Sequence, residues 1–205
     1  GAIRDSKVHD VKIIPDKEVK GNDRIGTVVG YAVDSEIRNV TVKNAALNTS
    51  GIAGGIACEI SGTVIDNTIC DNVIIDAQAG NEVIYIGGVA GIASDSVIAD
   101  CDVATGTGNT ARIQGTGYTG GIVGFQNSTD IYNVHVNGTI GGYHSTAIGG
   151  ITGNYVSGKL KVARFEGSIG NSQLGSMARE GTFIGTRQGA ATNFNYIDDV
   201  AYLFA

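Results

Sequence analysis

The residues with the chemistry to work together are Asp102, His135 and Arg164, spaced 33 and 29 residues apart. An acid, an imidazole and a guanidinium can move a proton or hold an anion when the fold brings them together. Glycoside cleavage needs two convergent carboxylates, and no obvious pair accompanies these residues. We therefore retain the three as a candidate surface cluster and assign no catalytic residue.

A second polar set recurs at one position of a repeated six-residue segment. Its members are Asp10, Asn39, Asn67, Asp100 and Asn133. Such residues can ligate Ca²⁺, but Asn and Asp also accept left-handed backbone geometry and stack into ladders. Amides alternate with carboxylates and Val162 ends the row, so we predict a structural column of turn residues.

The sequence predicts neither a metal nor a cofactor. His9, His135 and His144 are widely separated, and there is no His-Glu-x-x-His pair. Glycine-rich segments can cradle phosphate where a helix follows them. Here a short strand pattern follows the glycines each time, which excludes a phosphate loop.

Three cysteines are too few and too irregular for a disulfide framework. Cys70 and Cys101 fall at apolar positions of adjacent repeats, two residues out of line. Strand geometry then separates their Cα atoms by about 8 Å, too far for an unstrained disulfide. Cys58 stands where other repeats have glycine, and we expect it to be partly accessible.

These positions are set by an internal repeat that consists of two blocks. The glycine block begins at Gly26, Gly54, Gly87, Gly120, Gly149 and, in degenerate form, Gly185. The second block reads apolar-x-Asn/Asp-apolar-x-apolar and begins at Val8, Ile37, Ile65, Ile98, Ile131 and Leu160. The offset from glycine to Asn/Asp is 13 residues throughout, and the rest of the repeat varies in length. Such behaviour is typical of a solenoid with insertions on one side.

The repeats are built of strands, since β-branched residues alternate with polar ones over four to six positions. We predict an all-β fold, a single-stranded right-handed parallel β-helix of about six coils. The inward columns are predicted to be the first residues of the second block and Val28, Ile56, Val89, Ile122 and Ile151.

Two outward columns follow from the same alignment. One contains His9, Arg38, Asp66, Ala99, Tyr132 and Lys161, and the other Lys12, Thr41, Ile69, Asp102, His135 and Arg164. We expect Asp66 to form a surface ion pair rather than part of a catalytic set.

We predict one domain over residues 1–205, with repeats at 8–189 and a terminal segment at 190–205. That segment is either a cap for the solenoid or the start of a following domain. The chain begins with Gly-Ala-Ile-Arg and no Met, which suggests a fragment of a larger protein. The variable segments 44–51, 75–83, 105–118, 141–146 and 167–181 are either recognition loops or plain connectors.

The composition excludes several classes of partner. The net charge is −6, with no basic run, which argues against nucleic acid. No apolar run approaches the roughly 18–20 residues of a membrane span. Thirty-two glycines with one proline exclude collagen.

Gly120-Gly121-Ile122-Val123-Gly124 followed by Ile131-Tyr132-Asn133-Val134-His135-Val136-Asn137-Gly138 resembles the GLUG motif of bacterial surface proteins. The pattern is also similar to the β-helical N-terminal region of IgA1-specific zinc metallopeptidases of Gram-positive bacteria. The resemblance covers roughly residues 8–189 and rests on repeat consensus, which specifies fold better than function. It implies an extracellular, cell-wall-associated module. No zinc ligand of that family can be carried over, because no residues here match its site.

We therefore expect a non-catalytic β-helix module that acts as a scaffold or binds host glycoproteins or cell-wall glycans. Its other partners would be further domains of the parent chain, which the resemblance suggests is a zinc metallopeptidase. A polysaccharide-degrading β-helix enzyme and an inert spacer remain as alternatives.

Overall fold

The computed structural model describes residues 1–78, 83–106, 112–143, 147–171 and 179–188. Within these residues every regular element is a β-strand, and all strand pairings are parallel. The chain winds as a β-solenoid of about six coils, so the predicted parallel β-helix is confirmed. The predicted terminal segment, residues 190–205, lies outside the described residues.

Three sheets form the walls of the solenoid. Sheet 1 has seven strands: β1 (Ala2–Arg4), β5 (Val29–Val33), β9 (Ala57–Ser61), β12 (Ala90–Ser94), β16 (Val123–Asn127), β19 (Thr152–Tyr155) and β22 (Ile184–Arg187). Sheet 2 has nine: β2 (Lys7–Ile13), β3 (Val19–Gly21), β6 (Glu36–Lys43), β7 (Ala46–Thr49), β10 (Val64–Ala77), β13 (Val97–Thr105), β14 (Arg112–Gly115), β17 (Thr129–Gly142) and β20 (Gly158–Asn171). Sheet 3 has six: β4 (Arg24–Gly26), β8 (Ile52–Gly54), β11 (Ile84–Gly87), β15 (Gly117–Gly120), β18 (Ala147–Gly149) and β21 (Arg179–Gly181).

Each full coil crosses sheet 3, then sheet 1, then sheet 2. The glycine block forms the sheet 3 strand and the turn into sheet 1, and the second block forms the first part of the sheet 2 strand. Sheet 2 then continues into a second leg, which pairs between coils as Val19 with Leu47, Leu47 with Ile75, and Ile75 with Ile113. Much of this leg was predicted to be variable loop, and that prediction was wrong. Residues 46–49, 112–115, 139–142 and 168–171 are strands.

The glycine block is a packing device. A Cβ on the first glycine of each block would lie 1.9–2.0 Å from a carbonyl oxygen three residues further on, as at Gly87 and Gly120. A Cβ on the second glycine would meet the next coil instead, 2.1 Å from Gly150 O in the case of Gly121. The missing Cβ of the first glycine allows the chain to turn tightly into sheet 1. The missing Cβ of the second glycine allows neighbouring coils to approach to strand spacing, about 4.8 Å.

The sixth copy of the glycine block begins at Gly181 and not at Gly185. Gly149 pairs with Gly181, 32 residues later, and Phe183 O accepts a hydrogen bond from Ile151 N, so Phe183 continues the Ile151 column. Gly185 instead corresponds to the third glycine of the block, because Thr152 pairs with Ile184. The sequence alignment placed the sixth copy four residues too late because Ile184-Gly185 imitates the earlier Ile-Gly pairs.

The core is made of aligned apolar columns, as predicted. Val8, Ile37, Ile65, Ile98, Ile131 and Leu160 pair in one continuous register. All but Val8 in the first coil are fully buried. Burying an aliphatic side chain contributes about 1.5–3 kcal/mol to stability. Each coil adds one such side chain to the column.

A column of buried hydroxyls runs beside this core and was not predicted. Ser35, Thr63, Ser96 and Thr129 occupy the turn from sheet 1 to sheet 2 in successive coils. Each hydroxyl donates to the carbonyl two residues earlier, as Thr63 Oγ1 does to Ser61 O at 3.0 Å. Each also accepts a backbone N–H from the preceding coil, as Thr63 Oγ1 does from Ser35 N at 3.4 Å. At the turn from sheet 1 to sheet 2, hydroxyl groups thus bond to backbone groups that have no partner in the strand ladders.

Candidate functional site

The Asn/Asp column is a ladder of turn residues, as predicted. Asp10, Asn39, Asn67, Asp100 and Asn133 all have positive φ, between 48° and 57°. Asn39 Nδ2 donates to Asp10 Oδ1 at 2.9 Å and Asn67 Nδ2 donates to Asn39 Oδ1 at 2.7 Å. Asn133 Nδ2 donates to Asp100 in the same way. Among the described residues no group of three acids, histidines or cysteines is arranged to hold a metal ion.

Val162 occupies the sixth position of this ladder, with φ of 49° and a side chain that is 51% exposed. A left-handed conformation costs an L residue about 1–2 kcal/mol, and a β-branched one is a strong outlier. Changing Val162 to Asn is therefore expected to raise the free energy of unfolding by about 1 kcal/mol. The new amide would also face Asn133, the preceding member of the ladder.

Urea denaturation followed by circular dichroism measures this change. Val162→Thr is the matched control, since threonine keeps the branched Cβ and should leave stability nearly unchanged. Equal stability of the Asn and Thr variants would show that backbone strain at residue 162 has no energetic weight.

Further turn residues with positive φ were missed. Asn44 and Asn72 mark the bend into the second leg of sheet 2, and Asn72 Nδ2 donates to Asn44 Oδ1 at 2.7 Å. Asp34, Asp95 and Ser128 mark the turn from sheet 1 to sheet 2. The signal was present as polar residues at fixed distances from the two blocks, but these positions lie outside the aligned blocks, and Asn44 lies in the variable segment 44–51.

The structure brings Asp102, His135 and Arg164 into one network on the outer face of sheet 2. His135 Nδ1 lies 3.4 Å from Asp102 Oδ1. The other ring nitrogen, Nε2, lies 3.2 Å from Oε2 of Glu166, and Glu166 also pairs with Arg164. Arg164 therefore reaches the histidine through Glu166, a residue that the sequence analysis missed because it lies one outward position further along β20.

The network can hold a histidine between two carboxylates, but it lies on an open sheet face. The exposed fractions of the side chains are 32% for His135, 29% for Glu166 and 63% for Asp102. Water therefore screens the charges, and such pairs contribute little to stability. The arrangement orients the imidazole and offers two acids beside it.

The remaining outward residues follow the predicted columns. His9 pairs in register with Arg38, Arg38 with Asp66, and Tyr132 with Lys161. Arg38 Nη1 lies 3.1 Å from Asp66 Oδ2, which is the predicted surface ion pair. Charged groups on this face are thus largely neutralised by neighbours one coil away.

Cys58 is fully buried, so the prediction that it is partly accessible was wrong. It sits in the narrow corner between sheets 1 and 3, where Sγ donates to Ile52 O at 3.4 Å. Cys70 and Cys101 are also buried and unpaired, and Thr68 rather than Cys70 stands in register with Cys101. Their predicted offset of two residues is confirmed.

All three thiols are expected to be unreactive in the folded protein. Burial raises the pKa of Cys58 and of Cys101 to about 12 and also raises that of Cys70. The thiolate is the reactive form. Ellman's reagent at pH 8 should label no cysteine of the folded protein in buffer and three in guanidinium chloride. Rapid labelling of the folded protein would show that the packing around at least one buried cysteine opens, contrary to this prediction.

Side chains on the outer faces of sheets 3 and 1 contact each other at the corner where the two sheets meet. Tyr85 and Tyr118 stack at 5.4 Å between ring centroids with their planes 9° apart. Phe125 of the next coil in sheet 1 meets Tyr85 edge to face at 5.1 Å. Arg24 bonds to Glu59 at 2.5 Å across the same corner two coils earlier.

We define the corner strip as the two outward columns that flank this corner. They are Arg24, Ile52, Tyr85, Tyr118 and Ala147 from sheet 3, and Glu59, Ile92, Phe125 and Asn154 from sheet 1. All are half-buried except Ala147 and Asn154, which are buried, and Arg24, which is exposed. Between the two columns sheet 1 has glycine at Gly91, Gly124 and Gly153 and a cysteine at Cys58, and a Cβ on Gly124 would lie 2.4 Å from Ile86 N.

Comparison with known proteins gives no match: no family model, no curated protein and no solved structure is significantly similar to this chain. None of the described residues belongs to a helix that is long and apolar enough to cross a membrane. The architecture itself defines the class, which is the parallel β-solenoid.

Proposed function

We propose that this solenoid is a binding and scaffolding module of a bacterial surface protein. It would be extracellular and associated with the cell wall, and would contact cell-wall glycan or a host glycoprotein. The GLUG-like repeat consensus supports this context, including the link to an IgA-protease-like parent. The module itself would perform no chemistry.

The observation that carries the proposal is how the recurring polar residues are used. The hydroxyl column and the amide ladder join one coil to the next by hydrogen bonds. For example, Ser96 N donates to Thr129 Oγ1 and Asn67 Nδ2 donates to Asn39 Oδ1. They stiffen the solenoid instead of converging on a ligand. A rigid scaffold of this kind holds an extended surface at fixed spacing, and solenoids commonly bind along such surfaces.

A co-sedimentation assay tests the proposal. The protein should pellet with purified Gram-positive cell walls or be retained by immobilised immunoglobulin A, and neither partner should be cleaved. Retention by neither partner would favour an inert spacer and contradict the proposal. Heat-unfolded protein is the control for non-specific adhesion.

A second candidate function is hydrolysis of a polysaccharide. The specific observation in its favour is that Asp102 and Glu166 flank His135 on one sheet face. Two nearby carboxylates are what glycoside cleavage requires. Release of reducing ends from cell-wall glycan, abolished by Glu166→Gln and unaffected by Glu36→Gln, would establish an enzyme and overturn the binding-only module.

A further inference from the structure

We infer that the corner strip binds a neutral, linear glycan chain that lies along the solenoid axis. The inference deepens the proposed binding function by naming the surface and the class of partner. It rests on the apolar content of the strip, its direction, its charge and one buried amide.

The aromatic and aliphatic residues of the strip form a continuous surface. Ile52, Tyr85 and Tyr118 follow one another in sheet 3, and Ile92 and Phe125 follow one another in sheet 1. The most exposed large hydrophobic residues of the described part of the chain lie outside the strip and are scattered, for example Ile69 and Tyr132 on sheet 2. A contiguous surface of half-buried aromatic and aliphatic side chains marks a binding site more often than scattered apolar residues do.

The direction of the strip distinguishes a glycan from a peptide. The strip crosses the coils, so it runs perpendicular to every strand, and the strand N–H and C=O groups are used in the parallel ladders. A peptide along the strip would find no open sheet edge for its own backbone groups, which need partners when buried. A sugar chain presents C–H faces to aromatic rings and keeps its hydroxyls towards water. Coils spaced about 4.8 Å apart also suit a ligand with a short linear repeat.

The charge of the strip points to a neutral chain. Its two ionic members, Arg24 and Glu59, neutralise each other across the corner. The whole chain carries a net charge of −6, which disfavours sulfated or uronic glycans. Tyr85 and Tyr118 add hydroxyls that can donate to sugar oxygens, as amphipathic rings do in binding sites.

Asn154 is the independent sign of a missing partner. It occupies the position of Phe125 one coil later, is fully buried, and has no hydrogen-bond partner for either Oδ1 or Nδ2. A buried amide without partners is costly and uncommon in folded proteins. Because Asn154 and Ala147, the small residue that follows Tyr118, have no exposed surface, binding here requires that the side chains around them move aside and admit a sugar hydroxyl, which would provide both a donor and an acceptor.

Affinity electrophoresis in gels that contain hydroxyethyl cellulose, mixed-linkage β-glucan or mannan tests the inference, with polygalacturonate as the anionic comparison. The wild-type protein should be retarded by at least one neutral polymer and not by polygalacturonate. Tyr118→Ala should weaken that retardation about five- to tenfold. Tyr132→Ala is the matched control, because it removes an exposed tyrosine from the outer face of sheet 2. This variant should be retarded as strongly as the wild type.

Asn154→Leu separates binding from folding. Leucine of similar volume removes an unsatisfied amide, so the variant should unfold at equal or higher denaturant concentration while binding the neutral polymer more weakly. Loss of stability with unchanged binding would overturn the role of Asn154. Circular dichroism of each variant establishes that it remains folded.

Three results would overturn the glycan assignment. They are no retardation of the wild type by any neutral polymer, equal weakening by Tyr118→Ala and Tyr132→Ala, or stronger retardation by polygalacturonate. Binding of reduced, carboxymethylated lactalbumin that Tyr118→Ala abolishes would assign the strip to extended peptides instead. Cell-wall binding that survives Tyr118→Ala would leave the proposed function standing and refute only this inference.

Discussion

Replacing Gly121 with alanine is expected to destabilise the protein by at least about 3 kcal/mol, or to prevent folding. The new Cβ would lie 2.1 Å from Gly150 O in the following coil and 2.7 Å from a methyl carbon of Val136. The carbonyl belongs to backbone that is itself held by a coil on its far side. Relief would therefore require separating two coils, which breaks ladder hydrogen bonds in all three sheets.

Gly170→Ala is the matched control, since a Cβ there would have no neighbour within 4 Å. That variant should be as stable as the wild type or slightly more stable, because alanine loses less conformational entropy on folding. Urea titration followed by circular dichroism compares the three proteins. A Gly121→Ala protein within 1 kcal/mol of the wild type would show that the coils can spread locally, contrary to the packing described.

Replacing Thr63 with valine is expected to lower the free energy of unfolding by about 1–3 kcal/mol, although valine has nearly the same shape. Ser35 N–H would lose its acceptor in the hydroxyl column while remaining buried. Ser61 O would keep its bond from Asp34 N, so the orphaned donor dominates the loss. The effect is that of an unsatisfied buried group and not of a lost contact.

Thr41→Val provides the comparison for this prediction. Thr41 lies in an outward column of sheet 2 and is half-exposed, so the change should alter stability by less than about 0.5 kcal/mol. The same denaturation assay applies to both. Equal losses for the two variants would indicate that valine disturbs the strands generally and that the hydroxyl column has no special role.

The sequence predicted the parts of the fold that repeat in register. The 13-residue offset placed the glycine turns, the inward columns and the Asn/Asp ladder, because identical residues stack when coils stack. It also placed Asp102 beside His135. It could not place Glu166, since that residue reaches His135 diagonally from a neighbouring column, and a column alignment shows only direct neighbours.

The errors arose where tertiary packing overrides the local pattern. The second leg of sheet 2 contains Gly, Thr and Asn and reads as loop, yet each copy is paired by the copy before and after it. Cys58 replaces a glycine, which suggested open space, whereas the corner it occupies is closed by Ile52. The corner strip was not predicted because its two columns come from different blocks, and only the fold makes them adjacent.

The polarity of the amide ladder restricts where the solenoid can gain or lose a coil. Each asparagine donates to the coil before it, so an aspartate, which has no donor when ionised, can begin a run but cannot continue one. Asp10 and Asp100 therefore begin two separate runs, and the boundary between Asn67 and Asp100 carries no amide bond. A duplicated coil could enter at that boundary without interrupting either run, whereas elsewhere it would need its own asparagine. Lengthening of the molecule by repeat duplication is thus easiest between its third and fourth coils.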